Sequence, residues 1–474
     1  MFSFFRKTAR KSGMYDWRSA FSGTQTKTPL LNGSSRVAVN FDSAATTPPF
    51  IEVAETVTRF MDWYSSIHRG MGYKSLVSTE VYEQSREVVE RFCGADPRHH
   101  TAIFCSNSTH AINILAHRLK FSTGRGVLAT HMEHHSNLLP WKNVNGKVEY
   151  ADVLKTDGSL DLETLEAKLK TGKVGLVAVT GASNVTGVLN PLGVIARLAH
   201  AHGALLMVDA AQLIAHRAID MKSPSDPEAI DFLTFSAHKV YAPYGSGVLI
   251  VRRDLWDNDA PPAFPGGGTV RMVTDEEVLW ADLPDKEEGG TPNVVGALAL
   301  AKSFCILQSI GMDKVEAHEA TLTHYLLACL NEIPEVRIYG PSARATSDSR
   351  LGVVSFTLKG YHHGLLASIL GFEYGIAVRN GCFCAQPYLM RLQGLSDQQV
   401  QEHLANVRKG DMRNLPGFVR ISLALYSVEE EVDYFCESLK KIIKKGPRGH
   451  YRQNETGQFI PENFRPPSIS DFLP

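Results

Sequence analysis

At 474 residues, with 49 Lys and Arg against 50 Asp and Glu, the chain carries a formal net charge of −1, which excludes the electrostatic footprint of a nucleic-acid or anionic-membrane partner. The length suits two or three lobes around a large core, and no apolar run reaches the ~18 residues of a membrane helix. Seven scattered cysteines, an odd number, argue against a secreted disulfide scaffold and for a reducing compartment; Cys382-x-Cys384 offers too few ligands for zinc, and no metal site is expected.

Residues 1–13 are basic and free of acids, without a sustained apolar core. They read as a frayed terminus of a cytoplasmic protein or, equally, as the start of a mitochondrial presequence, and not as a secretory signal. Residues 14–40 look irregular, so 1–40 is expected to be an N-terminal extension. Asn40–Pro49 reads as a short strand entering a Pro-ended loop. A helix is expected over 49–65, with Val53, Val57, Phe60 and Met61 at helical spacing. A loop with two glycines, holding His68, leads to a second helix over 78–93, stopped at Gly94.

From there the pattern is strand, polar tip, helix, repeated. Apolar runs at 101–105, 126–130, 174–180, 204–208 and 232–235 each end in polar residues: Ser106–Thr109, His131–Asn137, Gly181–Gly187, Asp209–Gln212 and Ser236–Lys239. In open α/β sheets ligands bind at the carboxyl ends of the strands, so these tips should face one cleft. Each tip has a bland reading. Ser and Thr cap helices, a lone Lys points into water, and three His within five residues do not by themselves make a metal site. Together they supply what pyridoxal phosphate requires: a lysine for an imine, a carboxylate for the ring nitrogen, an imidazole to lie on the ring, and hydroxyls and N–H groups for a phosphate.

After Lys239 one more strand is expected at 245–251, a Gly-rich loop at 265–269, and a long helix from 287 to 310 with Pro292 in its first turn. These close a large domain, 41–310. A smaller α+β domain, 311–445, should hold a helix over 315–333, strands at 336–338 and 351–357, a helix over 364–370 and a strand end at 376–379. A half-buried alternating strand is expected at 418–425, and a last helix to 445 capped by the box Ser427–Glu430. The Pro-containing tail, 446–474, reads as a surface extension.

The stretches His68-Arg69-Gly70, Met132–Asn137, Ser183-Asn184, Val208–Gln212, Phe235–Lys239, Gly290–Asn293, Arg379–Cys384 and Arg420–Ser422 run in one order over about 40–440, and in that order the chain resembles the class V aminotransferases. The branch it is most similar to is the group II cysteine desulfurases and selenocysteine lyases. The resemblance implies the pyridoxal phosphate-dependent transferase fold type I: α/β, with a mostly parallel central sheet in the large domain. It implies that Lys239 carries the cofactor, that His134 stacks on its ring and shuttles a proton, and that Asp209 and Gln212 meet the ring nitrogen and O3′. Asn184 would lie beside ring and substrate. Thr109, Ser236 and His238 would hold the phosphate, joined by Thr291 from a neighbouring subunit, so a homodimer with shared sites is expected. Arg420, Arg379, His68 and Asn184 are the implied substrate contacts, and Cys384 the implied nucleophile. It would take sulfur from L-cysteine as a persulfide, leave alanine, and pass the sulfur to an acceptor protein.

Two departures stand out. Cys382-Phe383 occupies the place where the group has two His, so Cys382 reads as a second sulfur relay, a resolving thiol or a filler. Ala237 replaces the usual Gly before His-Lys. The alternatives left open are a class V aminotransferase, racemase or other lyase acting on another amino substrate, and a molybdenum-cofactor-sulfurase-like sulfur transferase.

Overall fold

The computed structural model describes residues 17–121, 124–144, 147–341, 349–465, 467–470 and 472–473. The basic segment 1–13 lies outside the described residues. The large lobe is built on seven strands: β1 (His100–Cys105), β2 (Gly126–Thr130), β3 (Val148–Ala151), β4 (Val174–Thr180), β5 (Leu205–Asp209), β6 (Phe232–Ser236) and β7 (Gly247–Arg252). Their order is β1-β7-β6-β5-β4-β2-β3, and β7 alone runs against the rest. β4 and β6 are buried along their whole length, as near-continuous apolar runs in a sheet covered on both faces should be. Apolar clusters fill both faces of the sheet.

The smaller lobe is a four-stranded antiparallel sheet, β8 (Val336–Tyr339), β9 (Val353–Leu358), β10 (Arg379–Gly381) and β11 (Phe418–Ser422), ordered β8-β9-β11-β10 and backed by helices. The segment before residue 41 packs into the body of the protein: Trp17 and Phe21 lie in the main core, and its end joins this lobe. Val39–Asn40 pairs in parallel with Ile376–Ala377, and Val39 and Phe41 lie in the small-lobe core. Apolar spacing does not reveal this, because the paired stretches are two residues long.

Other expectations shift for physical reasons. The helix expected from 78 starts at Tyr73, giving α1 (Tyr73–Phe92). Its buried face carries Ser75, Ser78 and Ser85, small polar residues that let it pack against α2 (Val294–Ile310) but leave no apolar period. Helix α2 begins at Val294, not at 287, with Asn293 Oδ1 accepting the Gly296 N–H at 2.9 Å. Glu287 and Glu288 are held out of it by buried ion pairs, Glu288 with Arg86 at 2.7 Å and Glu287 with Arg118 at 2.9 Å. The box at Ser427–Glu430 does not form; Ser427 Oγ accepts the Ala424 N–H at 3.0 Å and Val428 stands at the helix start. β11 is buried throughout instead of half-buried, because segment 41–44 covers its polar face: Ser422 Oγ accepts the Ala44 N–H at 2.8 Å.

The tail beyond 446 also folds back. Tyr451–Gln453 and Phe459–Pro461 form a hairpin against α3 (His363–Tyr374). The buried Glu373 carboxylate accepts the N–H groups of Arg448 and Gly449 at 2.9 and 3.0 Å and the Tyr451 hydroxyl at 3.0 Å. Ser368 Oγ donates to the Phe459 carbonyl at 2.6 Å, and the Phe372 and Phe464 rings meet edge-on. A hydrogen bond of this kind contributes roughly 0.5–1.5 kcal/mol, so losing the set costs about 1–3 kcal/mol. Glu373→Ala is therefore expected to lower stability by about that amount and to speed protease cleavage within 446–464; an unchanged cleavage rate would place the anchoring in the ring contacts instead.

Candidate active site

A cavity of about 1160 Å³ opens at the carboxyl ends of β1, β2, β4, β5 and β6. Thr109, His134, Asn184, Asp209, Gln212, Ser236, His238, Lys239, Arg379, Cys384 and Arg420 all line it. The small lobe closes one side through the 379–384 loop, and the tail hairpin contributes Gln458, Phe459 and Ile460 at its outer end. The structure does not bring in His68 or Thr291. His68 lies outside, with Nε2 2.9 Å from Glu83 Oε1 and a φ of 64°. Thr291 is exposed, also outside the cavity of its own chain.

Lys239 ends a short 3-10 turn, Ala237–Lys239, that follows β6. Ala237 is fully buried and not among the residues of positive φ, so its methyl group stands where glycine is usual without backbone strain. Burial, with Arg420 nearby, pushes the Lys239 amine down to about 8 against the opposing pull of Asp209 and Cys384. Asp209 is itself buried, its carboxyl pushed up by burial, and it accepts the Ala211 N–H at 3.0 Å. A buried carboxylate whose other oxygen has no hydrogen-bond partner among the described residues suits a ring N–H. Gln212 is fixed by its amide donating to Ala44 O at 2.8 Å.

His134 sits in a loop with a rigid base. The buried Glu133 carboxylate accepts the Thr130 hydroxyl at 2.6 Å and the Asn137 amide at 2.7 Å, and Asn137 in turn accepts the Trp141 indole N–H at 3.0 Å. His134 Nδ1 accepts the Ser136 backbone N–H at 3.1 Å, so its neutral ring carries the proton on Nε2. Burial first, then Lys239, pushes this imidazole down to about 3. Of the neighbouring histidines, His131 stacks on Tyr150, and the His135 backbone N–H donates to Cys384 O at 2.7 Å. Among the described residues no group of His, Cys, Asp and Glu is placed to hold a metal ion.

A cradle for an anion lies at the start of the helix Ser108–Arg118. Ser236 Oγ accepts the Ser108 N–H at 2.8 Å, and the Thr109 hydroxyl meets Ser136 Oγ at 2.7 Å. His238 is pushed down to about 4 by burial and Lys239, so it too is a neutral hydrogen-bonding ring. Gly247 on the antiparallel strand β7 makes room beneath: a Cβ there would stand 2.4 Å from Asn107 Cα. A lysine, a buried carboxylate, a neutral imidazole and a hydroxyl-lined helix start, all in one cavity, fit pyridoxal phosphate.

Opposite lies the arginine pair. Arg420 is 2% exposed; it donates to Asn184 O at 2.9 Å and to Asp42 Oδ1 at 3.1 Å, while its Nε is buried with no partner among the described residues. Arg379 stands 3.7 Å from the other Asp42 oxygen. Asn184 Nδ2 donates to Phe383 O at 2.7 Å, and the Arg420 guanidinium lies over the Phe383 ring. The exposed Cys384 faces the charges of Lys239 and Arg420. Three contributors escaped the sequence reading: Asp42, which holds both arginines; Ser136, which links Thr109 to His134; and Glu133, which braces the loop. No spacing marks them, since each acts on a partner from another element or through its own loop's folding.

Residues 39–435 match the family described as aminotransferase class-V. The chain is 35% identical over 419 residues to a probable cysteine desulfurase of Halalkalibacterium halodurans, covering 87% of this chain and 94% of that protein. It is 34% identical over 409 residues to a cysteine desulfurase of Dickeya dadantii, covering 85% and 91%. Among solved structures it is similar to the apo cysteine desulfurase of Thermococcus onnurineus, with a TM-score of 0.75 and 31% identity over 86% of this chain and 95% of that one. The family match stops short of the 451–461 hairpin.

Proposed function

The chain belongs to the class-V aminotransferase family, whose members use pyridoxal phosphate, and from that premise we propose that it is a cysteine desulfurase that takes sulfur from L-cysteine onto Cys384 and leaves alanine. The observation that carries this reading is one cavity holding Lys239, Asp209, His134 and Arg420 together with an exposed cysteine.

Lys239, Asp209, His134, Gln212 and Asn184 would hold the cofactor ring, and Thr109, Ser236 and His238 its phosphate. When bound, the cofactor supplies an electron sink beside the substrate Cα. Arg420 and Arg379 orient the substrate carboxylate, which competes with Asp42 for their N–H groups. Lys239 Nζ moves the proton at Cα, a task suited to an amine held near neutrality. His134 Nε2 would hold a proton toward a cofactor bound there. The Cys384 thiolate attacks the substrate sulfur: an S–S bond forms, the substrate C–S bond breaks, and L-cysteine plus the Cys384 thiol become alanine plus a Cys384 persulfide. A homodimer would bring Thr291 to the phosphate of the other subunit, and a protein thiol would take the sulfur onward. The seven cysteines, all free in this structure, suit the reducing cytoplasm.

Purified protein loaded with cofactor and given L-cysteine and a reductant should release sulfide and alanine in equal amounts. A cofactor band that responds to amino acids without sulfide release would sink the proposal. Arg420→Lys is expected to lower kcat/KM by roughly 10- to 100-fold, since one charged hydrogen bond contributes about 1.5–3 kcal/mol and an ammonium cannot reproduce a two-pronged guanidinium. Steady-state kinetics checks this; an unchanged kcat/KM would move the carboxylate to Arg379.

A further inference from the structure

Cys382 stands two residues before Cys384, packs against the main core, and still lines the cavity. Between the two sulfurs the backbone is unusual. Phe383 and Cys384 hold φ of 55° and 56°, a region that side-chain-bearing residues rarely occupy singly and that two in succession occupy only when their surroundings hold them there. Those surroundings are specific: Asn184 Nδ2 on Phe383 O at 2.7 Å, and the His135 N–H on Cys384 O at 2.7 Å. The resulting turn exposes Cys384 and is closed by the Ala385 N–H on Cys382 O at 3.0 Å, which leaves the Cys382 side chain between the core and the cavity. A cysteine that merely fills a gap explains the packing, but not its opening onto the cavity beside a second cysteine.

We propose that Cys382 is a second sulfur carrier: sulfur placed on Cys384 passes to Cys382, freeing Cys384 for another turnover. The inference rests on the desulfurase reading above. In the step, the Cys382 thiolate attacks the outer sulfur of the Cys384 persulfide. A new S–S bond forms at Cys382 as the Cys384 Sγ–S bond breaks, and the electron pair leaves on Cys384 Sγ. That sulfur takes up the proton given up by the Cys382 thiol. The net change is Cys384–S–SH plus Cys382–SH to Cys384–SH plus Cys382–S–SH, with no oxidant or reductant consumed. Such exchange proceeds by direct displacement, and two sulfurs in one turn need no diffusional encounter.

The test uses cofactor-loaded protein given excess L-cysteine without reductant, then alkylated and digested. The tryptic peptide Asn380–Arg391 carries both cysteines, and fragmentation between them locates each added sulfur. Wild type should hold two sulfurs, one on each cysteine. Cys382→Ser and Cys382→Ala, each accepted as folded when it keeps the cofactor's absorbance band, should hold one, on Cys384. A wild type with sulfur confined to Cys384 overturns the relay and leaves the desulfurase reading standing, as does a Cys382–Cys384 disulfide formed with sulfide release. A wild type with sulfur on neither residue overturns both.

Discussion

Lys239→Ala is expected to lower alanine formation from L-cysteine by at least about 10³-fold, the scale of losing a residue that both anchors a cofactor and moves the substrate proton. No second amine is placed to replace it, since Lys239 is the one lysine lining the cavity among the described residues. The same substitution has a stability consequence that reads the environment of the amine separately from its chemistry. In cofactor-stripped protein the folded-state value is about 8 against an ordinary 10.5. Between those pH values the unfolded chain binds more protons than the folded one, so folding gains stability as pH rises from about 8 to 10.5 and carries the full penalty below 8. The penalty is at most about 3 kcal/mol, reduced by water that enters the cavity. The melting-temperature gap between stripped wild type and stripped Lys239→Ala should therefore shift in favour of wild type as pH is raised across that window. A gap that stays constant would mean the amine is hydrated.

Cys384→Ala should abolish sulfide release from L-cysteine, a fall of at least about 10²-fold, while the cofactor's spectral response to L-cysteine persists. The side chain is exposed and belongs to none of the apolar clusters, so the fold should hold within about 0.5 kcal/mol. Its φ of 56° is no harder for alanine than for cysteine. A variant that still releases sulfide would make Cys384 a bystander and turn attention to a transaminase, racemase or lyase reaction on the same scaffold, which the fold alone does not distinguish.

The parts of the fold legible in the sequence are those with a local signature. β4 and β6 are apolar runs cut off by polar residues, so their ends were visible as tips, and the convergence of those tips follows from the parallel sheet. The start of α1 was not visible because its buried positions there are the serines Ser75 and Ser78, which bond to the 63–66 loop and leave no apolar period. β11 looked half-buried because Arg420 and Ser422 alternate with apolar residues, yet both polar side chains are buried under other parts of the chain. The tail looked like loose surface because its anchor, Glu373, lies in a helix of the small lobe, 75 residues from Arg448.

By itself, then, the sequence determined the class of sheet, its polar tips and the residue types gathered in the cavity, because periodicity and strand ends are short-range properties. The tertiary structure decided which polar groups meet across lobes: Asp42 on Arg420 over 378 residues, Asn184 on Phe383 over 199, and the 451–461 hairpin at the cavity mouth. It also decided that His68 and Thr291 stay outside the cavity of their own chain. Such pairings arise when the two lobes and the returning termini pack together, and no local pattern records which distant surface a side chain will face.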